Sequence, residues 1–244
     1  MMDEQRVVVD DPFEDQTEHG LLAGIRALLE CVAIVAIVAA VMWLLVTYVV
    51  QPYSIPSESM EDTLLVGDCV LAEKVSSSAS DPQAGDIITF TMWWEVDENG
   101  ERAYVEEEVE DEDEPVKVYS PVWASEEQAE ATYGGTIEQT TFVKRVIAVA
   151  GDEVDLIDGH VYVNGEAISE GAYVTGHTYD YEAEGIEYPF IVPEGEIWVM
   201  GDNRESSGDS REFGSVPVEN VTGHVVYRYW PIKRIGAVTA SRGN

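Results

Sequence analysis

Hydrophobic and polar positions divide this chain into two parts of different pattern. Residues 31–50 are apolar almost throughout, carry no charge and show no polar face, so they read as a helix in lipid rather than a core helix with one wet side. About 20 helical residues match a hydrocarbon layer about 30 Å thick. Arg26 and Glu30 border the run, Trp43 and Tyr48 fall toward its far end where amphipathic rings favour the interface, and Pro52 is expected to stop the helix. The run exceeds the apolar core of a cleavable leader, which is about 7–15 residues, and no small-x-small site follows it closely. A retained single-pass anchor is expected over residues 27–50, behind a cytoplasmic tail of residues 1–26. Arg6 and Arg26 precede the helix and the first basic residue after it is Lys74. That bias places the N-terminus inside and residues 51–244 on the outer face of the cytoplasmic membrane.

Beyond the anchor, short apolar runs alternate with Gly, Pro, Asn and Asp, and no stretch has the length or period of a soluble amphipathic helix. Strands are predicted over 69–75, 86–92, 140–149, 153–156, 160–163, 196–200 and 224–230, which makes the outer domain mainly β. Asp158-Gly159 and Asn164-Gly165 are tight-turn pairs that frame 160–163 and predict a small hairpin or meander. From 95 to 139 the pattern gives way to acid, nearly continuous between 106 and 114, and reads as a salt-solvated insertion rather than core. Residues 171–189, rich in Gly, Tyr and acid, read as a second excursion.

Charge narrows the function classes. The chain has 48 acidic against 13 basic side chains, a net charge of -35 spread along its length, which excludes nucleic acid as a partner held by a basic patch. Self-repulsion on that scale is relieved in molar salt, where the Debye length falls to about 3 Å, and points to a salt-adapted organism. A chain of 244 residues leaves room for one outer domain of roughly 190 residues with a proper core. Cys31 lies in the apolar run and Cys69 well beyond it, so two free thiols are expected rather than a disulfide reaching into the bilayer. The acidic run lacks the spacing of a calcium loop, and neither metal nor organic cofactor is expected.

Three segments carry candidate chemistry. Ile55-Pro56-Ser57-Glu58-Ser59-Met60 follows the anchor directly, so a nucleophile there works near the membrane surface. Ser59 is the candidate, since a serine attacks a carbonyl once a base removes its proton and donors hold the oxyanion. The Ser57 hydroxyl and the Ser59 N–H are the candidate donors. Histidine is the usual base, yet none of the four histidines sits in a catalytic context. Lys144, one of four lysines, lies in a strand with apolar residues on both faces, sharing one face with Phe142 and Val146. Desolvation there, joined by the adjacent Arg145 charge if it lies close, would lower its pKa toward neutrality and let the neutral amine accept the serine proton. The third segment, from Gly201 to Arg211, is loop-like; Ser207 could orient the lysine amine while Asp209 and Arg211 pair to hold the loop. Taken singly, these also read as a Pro-Ser turn, a snorkelling lysine and a surface loop.

Taken in order, residues 55–68, Gly85-Asp86-Ile87-Ile88-Thr89-Phe90, residues 143–152 and residues 201–211 resemble the boxes of the bacterial type I signal peptidases, and Arg228-Tyr229-Trp230-Pro231 is similar to the closing strand. The resemblance implies a signal-peptidase-like β domain, akin to the repressor-type peptidases, behind a single anchor. It implies Ser59 as acyl-forming nucleophile, Lys144 as general base, Ser57 as oxyanion donor and Ser207 as the residue orienting the lysine. Asp209, Arg211 and Gly201 would be structural support. Ile55, Pro56, Met60, Leu64, Phe142 and Val143 would line an apolar cleft for the small residues of an Ala-x-Ala site. Partners implied are the signal peptides of exported preproteins and the lipid bilayer, with the translocation channel a further candidate. Glu58, Phe142 and Ala150 depart from the usual glycine, hydroxylated aromatic and proline, and the first two bear on subsite shape. Two alternatives stand beside this reading: a self-cleaving Ser-Lys peptidase of the repressor type, and a catalytically silent, membrane-tethered β domain that binds exported proteins.

Overall fold

The computed structural model describes residues 12–74, 81–97, 99, 103–107, 116–119, 122–132, 135–171, 173–174, 176–179 and 186–238. It falls into two units, Met1–Thr47 and Tyr48–Asn244. The first is one helix, α1 (Pro12–Tyr48), whose stretch Gly24–Tyr48 is long and apolar enough to cross a membrane. At 1.5 Å per residue this stretch extends about 37 Å. Leu28, Ile34 and Val38 are exposed, as follows from a helix with no polar side. The helix ends at Tyr48 and Val50 already begins a strand, so Pro52 is not its stop. Pro52 sits instead in the edge strand of the main sheet, where proline is tolerated for want of a donor.

The second unit runs β1 (Val50–Ser54), β2 (Cys69–Glu73), β3 (Ile87–Val96), β4 (Tyr104–Glu107), β5 (Val116–Tyr119), β6 (Val122–Trp123) and a short α2 (Glu126–Thr132). There follow β7 (Thr136–Val149), β8 (Glu153–Ile157), β9 (His160–Val163), β10 (Glu166–Ala167), β11 (Phe190–Ile191) and β12 (Glu196–Met200). The chain closes with α3 (Ser210–Phe213), β13 (Val216–Pro217), β14 (Val221–Trp230) and β15 (Gly236–Ala237). Nine strands form one sheet in the order β1-β2-β14-β3-β7-β12-β13, with β15 on β14 and β6 on β3. A second sheet runs β10-β9-β8-β11. The architecture is mainly β, as expected.

The small sheet owes its form to its turns. Ile157 pairs with His160 and Val163 with Glu166, leaving Asp158-Gly159 and Asn164-Gly165 as two-residue loops. All four residues have positive φ, from 50° to 78°, the backbone of the turn that matches strand twist.

The expected insertion over 95–139 is only partly one. β3 runs on to Val96 and pairs residue by residue with β7 as far as Val96↔Thr136, so both ends of that range are sheet. Ala129 of α2 is fully buried, and Val122 and Ala124 pack on the core around Ile88 and Val146. The high acid content of this window hides those apolar positions from a periodicity reading. Residues 108–115, most of the densest acidic run, lie outside the described residues.

β7 is the spine of the domain. Val146 packs with Ile88 and Val199 in one cluster, while Ile147 and Ala148 pack with Val154 and Trp198 in another beneath the small sheet. From Lys144 to Ala148 the strand is buried on both faces. A charged side chain there has little water to reach.

Candidate active site

Residues 55–68 connect β1 to β2 as a closed loop. The Ile55 N–H donates to the Asp68 carbonyl and the Gly67 N–H to the Ile55 carbonyl, both at 2.9 Å. Ile55 and Met60 sink into the core beside Val70, which fixes the chain on either side of the two serines. Ser59 is 8% exposed, its carbonyl accepts from the Asn203 N–H at 3.1 Å, and its Oγ lies 3.4 Å from the Ser57 Oγ. Both serines, together with Ile55, Pro56 and Met60 of the loop and Phe142, Val143 and Lys144 of β7, line one cleft of about 530 Å³.

Leu64 is not part of that cleft. Its N–H donates to the Met60 carbonyl at 2.7 Å, a turn that carries it past the cleft and wholly into the core with Val70 and Ala72. Glu58 is exposed and also lies off the lining, whereas Phe142 is on it. Of the departures from the resemblance, Phe142 therefore bears on the cleft.

The loop after β12 supplies the next layer. The Ser207 hydroxyl donates to Asp209 Oδ2 at 2.7 Å, the Gly201 N–H donates to the same oxygen at 3.0 Å, and Arg211 clasps Asp209 through Nε and Nη2, each at 2.9 Å. Asp209 and Arg211 have no exposed surface. Gly201 is wedged against both serine segments. A Cβ there would fall 2.2 Å from the Ser207 Oγ and 2.5 Å from the Ser59 carbonyl oxygen. Gly201→Ala is thus expected to shift Ser59 and Ser207 apart and lower kcat/KM by about a hundredfold, the cost of misplacing a reacting group by about 1 Å. Steady-state kinetics on a variant with unchanged near-ultraviolet circular dichroism checks this.

Asp202 ties the three segments together. It accepts from Arg145 Nε at 2.8 Å and Nη2 at 2.6 Å, and from the Thr63 hydroxyl at 2.5 Å. Arg145 Nη1 donates to the Gly85 carbonyl at 2.9 Å, and the guanidinium carbon stands 4.0 Å from the centre of the Tyr173 ring. Strand alternation sends Arg145 and Lys144 to opposite faces.

Lys144 is 4% exposed, and burial lowers its pKa from 10.5 to about 8. The Asp209 carboxylate opposes that shift, the Arg211 guanidinium adds to it, and Asp202 and Glu212 oppose it. The second cation is therefore Arg211; the sequence neighbour Arg145 does not meet the condition of lying close, because it is turned away and paired with Asp202. Burial acts to raise the Asp209 carboxyl, but the hydrogen bond and charge of Arg211, the Gly201 N–H and the Lys144 charge hold it below the usual range. No histidine lines the cleft among the described residues. Cys31 and Cys69 are both free thiols, as expected.

Residues 28–230 match the family described as Signal peptidase, peptidase S26. This chain belongs to that signal peptidase family. Thylakoidal processing peptidase 1 of Arabidopsis thaliana is 30% identical over 240 residues, covering 96% of this chain and 59% of that protein. A Synechocystis protein named Probable signal peptidase I-2 is 32% identical, covering 79% and 69%. Signal peptidase I of Mycobacterium tuberculosis is 35% identical, covering 87% and 76%. The chain thus spans about three fifths of the length of the plant relative. A crystal structure of a signal peptidase I from Enterococcus faecalis V583 corresponds over 60% of this chain and 97% of that one, at 24% identity and a TM-score of 0.35.

Sequence reading missed part of the cleft wall. Trp94 and Phe213 line it and pack on Phe142, with ring centroids 5.3 and 5.9 Å away. Trp94 was legible: Ile88, Phe90, Met92 and Trp94 alternate, but the predicted strand stopped at Met92. Phe213 was not, because the short helix α3 after Asp209 brings it round. Asp202 and Thr63 were also missed, since nothing in their local sequence marks them as partners of Arg145.

Proposed function

We propose that this protein is a single-pass membrane endopeptidase that removes N-terminal signal peptides from exported preproteins. Its catalytic domain would stand on the outer face of the cytoplasmic membrane, with the N-terminus inside. Cleavage after small residues, as in Ala-x-Ala, proceeds through an acyl-enzyme made by Ser59 with Lys144 as base. The observation that carries this reading is a buried lysine of depressed pKa lining the same cleft as a serine, with no histidine on that lining among the described residues.

The neutral amine of Lys144 takes the Ser59 proton as Oγ attacks the carbonyl, then returns it to the leaving amine. The Ser57 hydroxyl and Ser59 N–H receive the oxyanion. Ser207 already donates its one proton to Asp209, so toward the lysine it can only accept, which orients the amine lone pair to Ser59. Aromatic packing around Phe142 closes the cleft wall and favours small side chains at the cut. The membrane-length stretch of α1 supports the anchor, and exposed Trp230, Ile232 and Ile235 at the end of the domain suit contact with lipid. The translocation channel remains a candidate neighbour, with the acidic surface adapted to concentrated salt. No cofactor enters any of these steps.

A preprotein with an Ala-x-Ala site, incubated in detergent at molar salt with wild type, Ser59→Ala and Lys144→Ala, tests this. Processing by wild type alone is expected. Failure of a folded wild type would favour the silent binding domain, and cleavage by both variants would sink the dyad. The rate should also follow the neutral fraction of Lys144, rising through about pH 8 and dropping about tenfold per unit below it. Full activity below about pH 6 would contradict a lysine base.

A further inference from the structure

Three guanidinium groups are buried around the loop that carries Ser207, namely Arg145, Arg204 and Arg211, none more than 1% exposed. Each needs a carboxylate, because an unpaired buried charge is costly. Asp202 serves Arg145 and Asp209 serves Arg211, both from within the loop itself. Arg204 takes its carboxylate from elsewhere. Glu170, just before the second excursion, grips Arg204 with both oxygens, through Nη2 and, at 3.1 Å, through Nη1. The Thr178 hydroxyl accepts from the same Nη1 at 2.9 Å.

The excursion is fastened further along as well. The His177 N–H donates to the Glu205 carboxylate at 3.1 Å, Arg211 Nη1 donates to the Tyr179 carbonyl at 3.2 Å, and Tyr173 lies on Arg145. Every one of these contacts lands on a residue of the catalytic segments or its direct neighbour. From Arg204 the path to the site is short. Its Nε donates to the Gly201 carbonyl at 3.0 Å, and its own carbonyl accepts from Arg211 Nη2 at 2.8 Å. Gly201 and Arg211 are in turn the groups that hold Asp209, which accepts from Ser207.

We propose that Glu170 is a positioning residue of the active site, and that with Tyr173, His177, Thr178 and Tyr179 it forms a strap which holds the Gly201–Asp209 loop in its working geometry through Arg204. Its described residues lie off the cleft lining and act through that loop and, by way of Tyr173, through Arg145 of the lysine strand. This rests on the Ser59–Lys144 reading above. Because Arg204 is buried and the Glu170 side chain is only 12% exposed, molar salt screens this pair little.

The test uses the full chain in detergent. Glu170→Gln keeps shape and removes charge; Arg204→Met with Glu170→Gln removes both charges and spares the fold an unpaired one. For Glu170→Gln we expect kcat to fall about tenfold or more, KM to stay within about twofold, and the midpoint of the pH–rate limb to move up as water reaches Lys144. The double variant should be no slower than the single one, as residues acting in one path are non-additive. A loss of melting temperature alone, with kcat and midpoint unchanged in whichever variant folds, would overturn the proposal. A readout free of substrate separates this from failure of the peptidase reading. The pH at which Lys144 becomes reactive to acetic anhydride, followed by mass spectrometry, should rise in the variants; no displacement overturns the strap even if wild type cleaves nothing.

Discussion

Lys144→Met is expected to be inactive yet harder to unfold than wild type at neutral pH. The lysine is held at a pKa of about 8 against 10.5 ordinarily, chiefly by burial. At about 1.4 kcal/mol per unit, carrying the charged amine into the fold costs about 3 kcal/mol below pH 8. The sign follows from proton counting. Between about pH 8 and 10.5 the unfolded chain binds more protons than the folded one, so wild-type stability rises with pH through that window. Methionine removes the charge with little change of volume, so the variant gains up to about 3 kcal/mol at pH 7 and lacks the alkaline rise. Loss of the base should lower kcat by about 10²–10⁴. Urea melts of both proteins at pH 7 and pH 10 decide it. Equal stability with parallel pH dependence would mean that Lys144 is not desolvated as described. The trade-off is that of a site whose chemistry requires an unfavourable residue in a core position.

Asp202→Ala is expected to be the most damaging change outside the cleft. It removes the carboxylate partner of a guanidinium 1% exposed, leaving Arg145 with the Gly85 carbonyl, the Thr63 hydroxyl and the Tyr173 ring. Breaking a buried pair from one side costs about 3–5 kcal/mol. For a domain of this size that lowers the melting temperature by about 10 °C. Activity falls too, because Thr63, Arg145 and Asp202 join the serine loop, the lysine strand and the Gly201 loop at one point. Replacing both partners with apolar residues, Asp202→Leu with Arg145→Met, should recover most of the stability, since no charge is left stranded. Calorimetry on the three proteins tests this. A loss under about 1 kcal/mol for Asp202→Ala would show that Arg145 finds another counter-charge.

Local pattern alone carried the membrane-length apolar helix, the β class and the candidate reactive groups of this protein. A helix in lipid announces itself by an unbroken apolar run, and Asp158-Gly159 and Asn164-Gly165 specify their turns through backbone conformations that few residues adopt. Lys144 stood out because a charge among Phe142, Val143, Val146 and Ile147 contradicts its surroundings. The resemblance to signal peptidases rested on such short, self-contained segments, and the family match covers the same stretch of chain. Tertiary structure decided what long-range neighbours do. Which cation stands near Lys144 depends on the facing of a strand and on a loop 67 residues further on, from Lys144 to Arg211. Leu64, four residues after a lining methionine, went to the core because one turn of chain rotated it there. Glu170 meets Arg204 across 34 positions of sequence, and ion pairs between distant segments leave no trace in local periodicity. Patterns of period two or 3.6 report which side of an element is dry; pairing of buried charges is a property of the assembled fold.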